Sequence, residues 1–121
     1  MAGHLILVPT PIGNLGDLTE RAKEALASAD LVACEDTRRT GGLLKHLQLD
    51  KPLQRFDDHA GEGAFDRVAS ALVNGQTVAY CSDAGMPGIN DPGFEIARIA
   101  REGGAKVTVL PGASAVLLAV V

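Results

Sequence analysis

Two carboxylates followed closely by two guanidinium groups form the stretch of this sequence that is best suited to chemistry, Glu35-Asp36-Thr37-Arg38-Arg39. A carboxylate can accept a proton or bind a sugar hydroxyl, and an arginine can hold a phosphate through two parallel hydrogen bonds. The same charges can also pair with one another in a solvated loop, which requires no ligand. The residue types therefore indicate either a site for a hydroxylated, phosphate-bearing substrate or a self-paired surface loop.

A second candidate base, His59, follows two aspartates in Asp57-Asp58-His59. Histidine changes its charge near neutral pH and so suits proton transfer, although a lone histidine is more often an ordinary surface residue. The two cysteines, Cys34 and Cys81, each lie in an apolar run and are expected to be buried and reduced. Because the sequence has no Cys-x-x-Cys and no Cys/His cluster with metal spacing, no metal site is predicted.

Two segments rich in glycine and proline could let a ligand approach the backbone closely. The longer one, residues 82–93, combines three glycines with two prolines, which indicates a rigid surface. Within it, Asp91 followed by Pro92 is more typical of a helix N-cap than of a ligand contact. The other segment, residues 9–17, has neither the G-x-G-x-x-G pattern of dinucleotide-binding folds nor a P-loop, and could be a plain strand–helix turn.

Short apolar runs alternate with amphipathic patterns along the chain, which predicts strands alternating with helices. Strands are expected over residues 4–8, 30–34, 52–56, 77–81 and 106–110, with 52–56 the least marked. Helices are expected between them: after Asp17, around 43–47, over 62–73, and up to Arg101. The first is expected to have Asp17 as its N-cap, because Asp17 and Glu20 have the spacing of a capping box.

This order of elements predicts an α/β domain with a mostly parallel five-stranded sheet flanked by helices. Ligands of such sheets bind beyond the carboxyl ends of the strands, where the strand order switches direction. The segments with unusual residues all follow predicted strands: 9–17, 35–39, 82–93 and 111–114. The sequence therefore predicts one shared site at the carboxyl edge of the sheet.

Length, composition and charge narrow the classes of function. The chain has 121 residues, enough for one domain, and a formal net charge of −4. An acidic domain is a poor stand-alone binder of phosphate backbones, and 3% aromatic residues provide no stacking platform for single strands. No apolar run reaches the roughly 20 residues of a membrane span. With no signal-peptide pattern either, a cytoplasmic protein without a membrane partner is expected.

Together and in this order, the loops resemble those of the tetrapyrrole methylase superfamily. Residues 8–19, Val-Pro-Thr-Pro-Ile-Gly-Asn-Leu-Gly-Asp-Leu-Thr, are similar to its opening loop, although a proline-containing version that keeps the Asp replaces the usual G-x-G-x-G-D. Residues 35–38 (Glu-Asp-Thr-Arg), 82–85 (Ser-Asp-Ala-Gly) and 89–93 (Ile-Asn-Asp-Pro-Gly) narrow the resemblance to one branch. From Leu5 to Val121, the chain resembles the ribosomal RNA small subunit methyltransferase I family.

The resemblance implies an enzyme that uses S-adenosylmethionine for 2′-O-ribose methylation of a cytidine in small-subunit ribosomal RNA. It implies that residues 1–121 are the N-terminal domain of a two-domain methyltransferase whose second domain is absent from this chain. The isolated half is expected to be inactive, and the full-length enzyme is expected to be a homodimer. Its partner would be the ribosomal RNA or the assembled small subunit.

The residues that contact the cofactor are carried over from the family by motif, whereas the catalytic candidates are chosen by their chemistry. Cofactor contacts would come from Leu15, Asp83, Ala84, Gly85, Met86, Ser114 and Ala115. Candidate catalytic residues are Asp36 as base, Arg38 as phosphate anchor and His59 as alternative base. A local cluster of basic residues would face the RNA while the rest of the domain stays acidic: Arg38, Arg39, Lys45, His46, Lys51 and Arg55.

Two other interpretations remain open at this point. The chain could be a tetrapyrrole or corrin methyltransferase domain, although the 35–38 motif and the proline-containing first loop favour RNA. It could also be a non-catalytic dimerisation or interaction module. Binding of S-adenosylmethionine would separate the interaction module from both methyltransferase interpretations.

Overall fold

Strands and helices alternate along the whole of the chain that the computed structural model describes, which is residues 2–10, 18–57, 61–83 and 92–110; for residues 82, 83 and 92–94 it describes the backbone alone. In order, the elements are β1 (His4–Thr10), α1 (Glu20–Ser28), β2 (Leu31–Cys34), α2 (Thr37–His46), β3 (Leu53–Arg55), α3 (Glu62–Val73), β4 (Thr77–Asp83), α4 (Pro92–Glu102) and β5 (Lys106–Val109).

The five strands form one sheet in the order β3-β2-β4-β1-β5, and every neighbouring pair is parallel. The predicted α/β domain with a five-stranded sheet is therefore confirmed, and the sheet is parallel throughout its described strands rather than mostly so. The least marked strand, predicted over 52–56, is β3, a three-residue strand at one edge of the sheet.

Helices cover both faces of the sheet and bury two hydrophobic clusters. Leu26 of α1 and Leu43 of α2 belong to the cluster on one face. On the opposite face, Val68 of α3 and Ile96 of α4 belong to the other cluster. Successive residues of a strand point to opposite faces, so a strand covered on both sides must be apolar at every position. That requirement explains the unbroken apolar run in β1.

The first helix begins later than the capping-box pattern predicts. Thr19 is the N-cap of α1: its backbone is extended, and its hydroxyl accepts a hydrogen bond from the Ala22 N–H at 3.1 Å. The prediction of Asp17 as the N-cap is therefore wrong, although Asp17 itself lies outside the described residues. Thr19, two positions further along, is an equally good acceptor for the free N–H groups of the first turn. The capping-box pattern therefore predicted the helix start at the wrong residue.

Residues 35–39 are not the continuous polar loop that the sequence predicts. Thr37 to Arg39 form the first turn of α2, and only Glu35 and Asp36 connect that helix to β2. Two helices end at glycines in the left-handed region, since Gly75 and Gly104 have φ of +82° and +77° just after α3 and α4. Both cysteines are buried and form no disulfide, as predicted.

Candidate functional site

Four strands of the sheet end side by side, and each precedes one of the segments with unusual residues. Thr10 at the end of β1 is the register partner of Asp83 at the end of β4. On the far side of β1, the Leu110 N–H donates to the Leu7 carbonyl at 3.1 Å, which ties the end of β5 to β1. Cys34, the last residue of β2, lies opposite Cys81 of β4. The ends of these strands therefore share one edge, as the sequence predicts.

The helix that follows β4 lies on one face of the sheet, and the helices that follow its two neighbours lie on the opposite face. The helix that follows β4, α4, packs in the hydrophobic cluster on one face. The helices that follow its neighbours β1 and β2, namely α1 and α2, pack on the other face. In parallel sheets a crevice opens outside the carboxyl ends where adjacent connections diverge in this way. The carboxyl end of β4 is thus the switch point of this sheet.

Asp36 marks the start of α2 at the same edge. Its Oδ1 accepts hydrogen bonds from the backbone N–H groups of Arg38 at 3.0 Å and Arg39 at 3.1 Å. An aspartate in this position satisfies donors that the helix cannot satisfy itself and lies at the positive end of the helix dipole. Asp36 is therefore an exposed N-cap, and its structural role is established independently of any chemistry.

Glu35, the other carboxylate of the pair, accepts a hydrogen bond from a buried side chain. The hydroxyl of Tyr80 donates to Glu35 Oε1 at 3.4 Å across the β2–β4 pair. Tyr80 is 1% exposed, so its ring belongs to the core, while its hydroxyl contacts Glu35 at the edge. This contact was not predicted, although a buried tyrosine generally needs a partner for its hydroxyl and could have indicated one.

Thr10 is a second polar residue that sequence reasoning did not single out. It ends β1, is 8% exposed, and lies in the middle of the sheet edge next to β4. Its signal in the sequence is a hydroxyl-bearing residue at the end of an otherwise apolar strand. Buried polar side chains are normally hydrogen-bonded, and Thr10 places such a group at the strand end beside Asp83.

The basic residues that cluster in the sequence divide into two groups in the structure. Arg38, Arg39, Lys45 and His46 are all exposed and all belong to α2. The other two follow α2 in the chain: Lys51 donates to the Ala27 carbonyl at 2.7 Å, and Arg55 Nε forms an ion pair with Asp57 at 2.8 Å. Four of these six basic residues therefore share one helix, which has no acidic residue.

Several predicted site residues lie outside the described residues: Leu15, His59, Ala84, Gly85, Met86, Ser114 and Ala115. Of Asp83, the structure describes the backbone position at the end of β4. Asp36 and Arg38 are described in full and lie together at the start of α2. Among all described residues, no three His, Cys, Asp or Glu side chains are arranged to hold a metal ion. Within the same ranges, none of the helices has the length and apolar character needed to cross a membrane.

Known proteins resemble this chain along almost its whole length. The family model of the Tetrapyrrole (Corrin/Porphyrin) Methylases matches residues 4–121. The ribosomal RNA small subunit methyltransferase I of Synechocystis sp. is 47% identical over 119 residues, which cover 98% of this chain and 43% of the relative. The protein of the same description from Escherichia coli is 47% identical over 117 residues, covering 97% and 41%. The chain thus spans less than half the length of these relatives.

Solved structures show the same architecture. The uroporphyrin-III-C-methyltransferase from Thermus thermophilus is 26% identical, with a TM-score of 0.69 over 93% of this chain and 48% of that protein. A structure described as a uroporphyrin-III C-methyl transferase from Thermus thermophilus complexed with S-adenyl homocysteine is 20% identical, with a TM-score of 0.66 over 97% of this chain and 48% of the other. At 20% identity, the second likeness concerns the fold alone.

Proposed function

Because the chain belongs to the tetrapyrrole (corrin/porphyrin) methylase family, we propose that it forms part of a methyltransferase that moves a methyl group from S-adenosylmethionine to small-subunit ribosomal RNA. The observation that carries the proposal is the alignment of three adjacent strand ends, those of β4, β1 and β5, at the switch point of a parallel sheet. The choice of RNA as substrate rests on 47% identity to proteins described as ribosomal RNA methyltransferases.

The cofactor residues taken from the family motifs fit these strand ends. Leu15 follows β1 in the sequence, Asp83 to Met86 follow or end β4, and Ser114 and Ala115 follow β5. Since β1 lies between β4 and β5, all three segments start from neighbouring positions. We propose that together they bind S-adenosylmethionine, with the Asp83 carboxylate as acceptor for the ribose hydroxyls.

When bound, S-adenosylmethionine supplies a methyl group that its sulfonium already activates. The protein must then hold the 2′-oxygen of a cytidine ribose in line with the methyl carbon, and a nearby group must receive the hydroxyl proton. Asp36 is the proposed base because its carboxylate lies at the edge beside β4, fixed by two backbone donors. Arg38, exposed on the first turn of α2, is the proposed anchor for the substrate phosphate, and His59 is the alternative base.

The length of the relatives supports a larger enzyme than this chain. Residues 1–121 correspond to 43% and 41% of the two bacterial proteins. We propose that the chain is the N-terminal half of a two-domain enzyme, that the cofactor lies between the two domains, and that the full-length protein is a homodimer. On this view the half described here binds S-adenosylmethionine weakly by itself.

Methyl transfer to ribosomal subunits tests the proposal. Full-length protein, small ribosomal subunits that lack the modification and S-adenosylmethionine with a tritiated methyl group are incubated, and the RNA is then hydrolysed with alkali. A 2′-O-methyl group removes the nucleophile for alkaline cleavage, so the label should be recovered in an alkali-resistant dinucleotide that begins with cytidine. Label in mononucleotides would place the methyl group elsewhere, and absence of label from the RNA would reject the proposed substrate.

Tetrapyrrole methylation is the second candidate, and one observation favours it: the solved neighbours described above are uroporphyrin methyltransferases. The same assay with uroporphyrinogen III in place of subunits should give no labelled product. If both substrates remain unlabelled and calorimetry detects no binding of S-adenosylmethionine to the full-length protein, the chain is an interaction module instead.

A further inference from the structure

Helix α2 contains two adjacent glycines, Gly41 and Gly42, near its middle. Glycine destabilises a helix interior relative to alanine because it loses more backbone freedom on folding. A glycine in such a position is normally explained by a crowded neighbour or by a backbone conformation that other residues avoid.

Neither explanation holds for this pair. A Cβ atom built on Gly42 would have no heavy atom within 4 Å, and one built on Gly41 would meet only Leu53 Cδ1, at an ordinary contact distance of 3.5 Å. The glycines with positive φ in the described part of the chain are Gly61, Gly75 and Gly104. Within the described structure, the fold therefore does not require glycine at position 41 or 42.

Basic side chains lie on both sides of the glycine pair. Arg38 and Arg39 precede it and Lys45 and His46 follow it, all exposed, while the buried side of α2 consists of Thr40, Leu43 and Leu44. The helix has no acidic residue, and residues 37–55 carry five Lys or Arg against a single Asp in a chain of net charge −4. The outer side of α2 is therefore a cationic strip with a bare backbone at its centre.

The strip also has a direction and a neighbouring depression. It starts at the carboxyl edge of the sheet, where Asp36 caps α2, and from Arg38 to Lys45 it extends about 10 Å along the helix axis. One strand of a nucleic acid duplex presents a phosphate roughly every 3.4 Å of axis, so this length matches about three phosphates. A groove of about 400 Å³ runs alongside, with Gly41, Lys45 and Lys51 in its wall.

We propose that the outer side of α2 binds the phosphate backbone of the RNA substrate, and that Gly42 is the point at which this backbone lies against the helix. The absent side chain allows close approach, and the flanking cations neutralise the phosphates on either side. The inference rests on the proposed function, because that function supplies the RNA. It assigns α2 the task of guiding the substrate strand towards the carboxyl edge.

A glycine-to-alanine comparison tests the close approach. Gly42→Ala and Gly63→Ala each add a methyl group to an exposed helical glycine with no heavy atom within 4 Å, the second on α3 at the opposite face of the sheet. Neither variant should lower the melting temperature of the full-length protein. Gly42→Ala should weaken binding of a fluorescein-labelled small-subunit ribosomal RNA fragment several-fold, measured by anisotropy, and Gly63→Ala should leave it unchanged. Equal affinities of both variants and the wild type would overturn the role of Gly42.

A charge comparison tests the strip as a whole. The triple variant Arg38→Gln/Arg39→Gln/Lys45→Gln removes three charges from α2, and Arg67→Gln/Arg98→Gln/Arg101→Gln removes three from α3 and α4 on the other face. For the α2 variant, the slope of log affinity against log salt should fall by about 2–3, since each lost phosphate contact contributes roughly 0.7–0.9. The control triple, with the same net charge, should keep the wild-type slope.

The two proposals fail separately in these experiments. If the wild type methylates ribosomal RNA but the α2 triple variant keeps its salt slope, the docking surface is refuted and the proposed function stands. If the wild type transfers no methyl group to RNA, yet the α2 triple variant binds RNA more weakly than the wild type does, the surface stands and the proposed function fails. If the α2 triple variant differs from the wild type in sedimentation coefficient but not in RNA affinity, α2 contacts another copy of the protein. That outcome would refute the proposed RNA surface.

Discussion

At the scale of single residues, Asp36 has one role that the structure shows and one that we propose. As the N-cap it accepts two backbone hydrogen bonds, and as the proposed base it would accept the ribose proton. Sequence reasoning identified the residue from its charge and its position after a strand. It could not identify the cap, because that depends on where the helix starts, and the sequence placed Thr37 to Arg39 in a loop.

Two substitutions separate these roles. Asp36→Ala removes the acceptor and should lower the free energy of unfolding by about 1 kcal/mol. Asp36→Asn keeps an acceptor oxygen, so stability in urea should be nearly unchanged, while methyl transfer should fall about 100- to 10,000-fold because the amide cannot take up the proton. If Asp36→Asn retains the wild-type rate, Asp36 is not the base, and His59→Gln becomes the variant to measure.

His4 gives a prediction for the opposite edge of the sheet. Its Nε2 lies 2.7 Å from Thr108 Oγ1, and partial burial, with a smaller contribution from the Lys106 charge, lowers its pKa below the ordinary value of 6.5. The folded protein therefore binds this proton less tightly than the unfolded chain does. The resulting contribution to stability is fully present above pH 6.5 and is lost as the pH falls from 6.5 through the lower pKa of the folded state.

An NMR titration should show the His4 imidazole titrating below pH 6.5. Lys106→Gln should raise the pKa of His4 part of the way back, whereas Lys51→Gln, at the end of the α2–β3 connection, should leave it unmoved. A titration midpoint at or above 6.5 in the wild type would show that burial of His4 is not the controlling factor.

At the scale of elements, hydrophobic periodicity predicted type and order well. The helix expected over 62–73 is α3 with the same bounds, because its buried residues follow helical spacing up to the last turn. The start of α1 was misplaced because Asp17 and Thr19 offer competing caps two residues apart. Which strands pair could not be read from periodicity, because β4 enters the sheet between β2 and β1 through contacts distant in sequence.

One close approach between elements gives a stability prediction. A Cβ atom on Gly3 would lie 2.5 Å from the Leu72 carbonyl oxygen and 2.6 Å from that of Gln76, where the chain turns from α3 to β4. Both are backbone atoms, which cannot rotate away. Gly3→Ala should therefore lower the free energy of unfolding by about 1–3 kcal/mol.

Gly103→Ala is the matched control for this substitution, because its added methyl group would come no closer than 3.5 Å to its nearest neighbour. Urea unfolding of both variants provides the measurement. Equal stability of Gly3→Ala and the wild type would mean that the start of β1 shifts freely relative to α3.

At the scale of the whole molecule, the sequence predicted where the strand ends meet better than which residues contribute to that edge. A parallel sheet with distinctive residues after four strands leaves one edge for a ligand, and the strand ends do meet there. Tyr80 and Thr10 were missed as contributors to that edge because their polar atoms extend from strands that otherwise read as core. Net charge was also a poor guide, because α2 carries three Lys or Arg and no acidic residue within a chain of net charge −4.

The central claim is that the cofactor binds at the carboxyl ends of β1, β4 and β5. The most direct test is a transverse-relaxation-optimised NMR titration of the deuterated, ¹⁵N-labelled full-length protein with S-adenosylhomocysteine. The amide signals of Thr10, Cys81 and Leu110 should shift, while those of His4, Thr77 and Lys106, at the other ends of the same strands, should stay in place. Shifts confined to His4, Thr77 and Lys106 would contradict this claim.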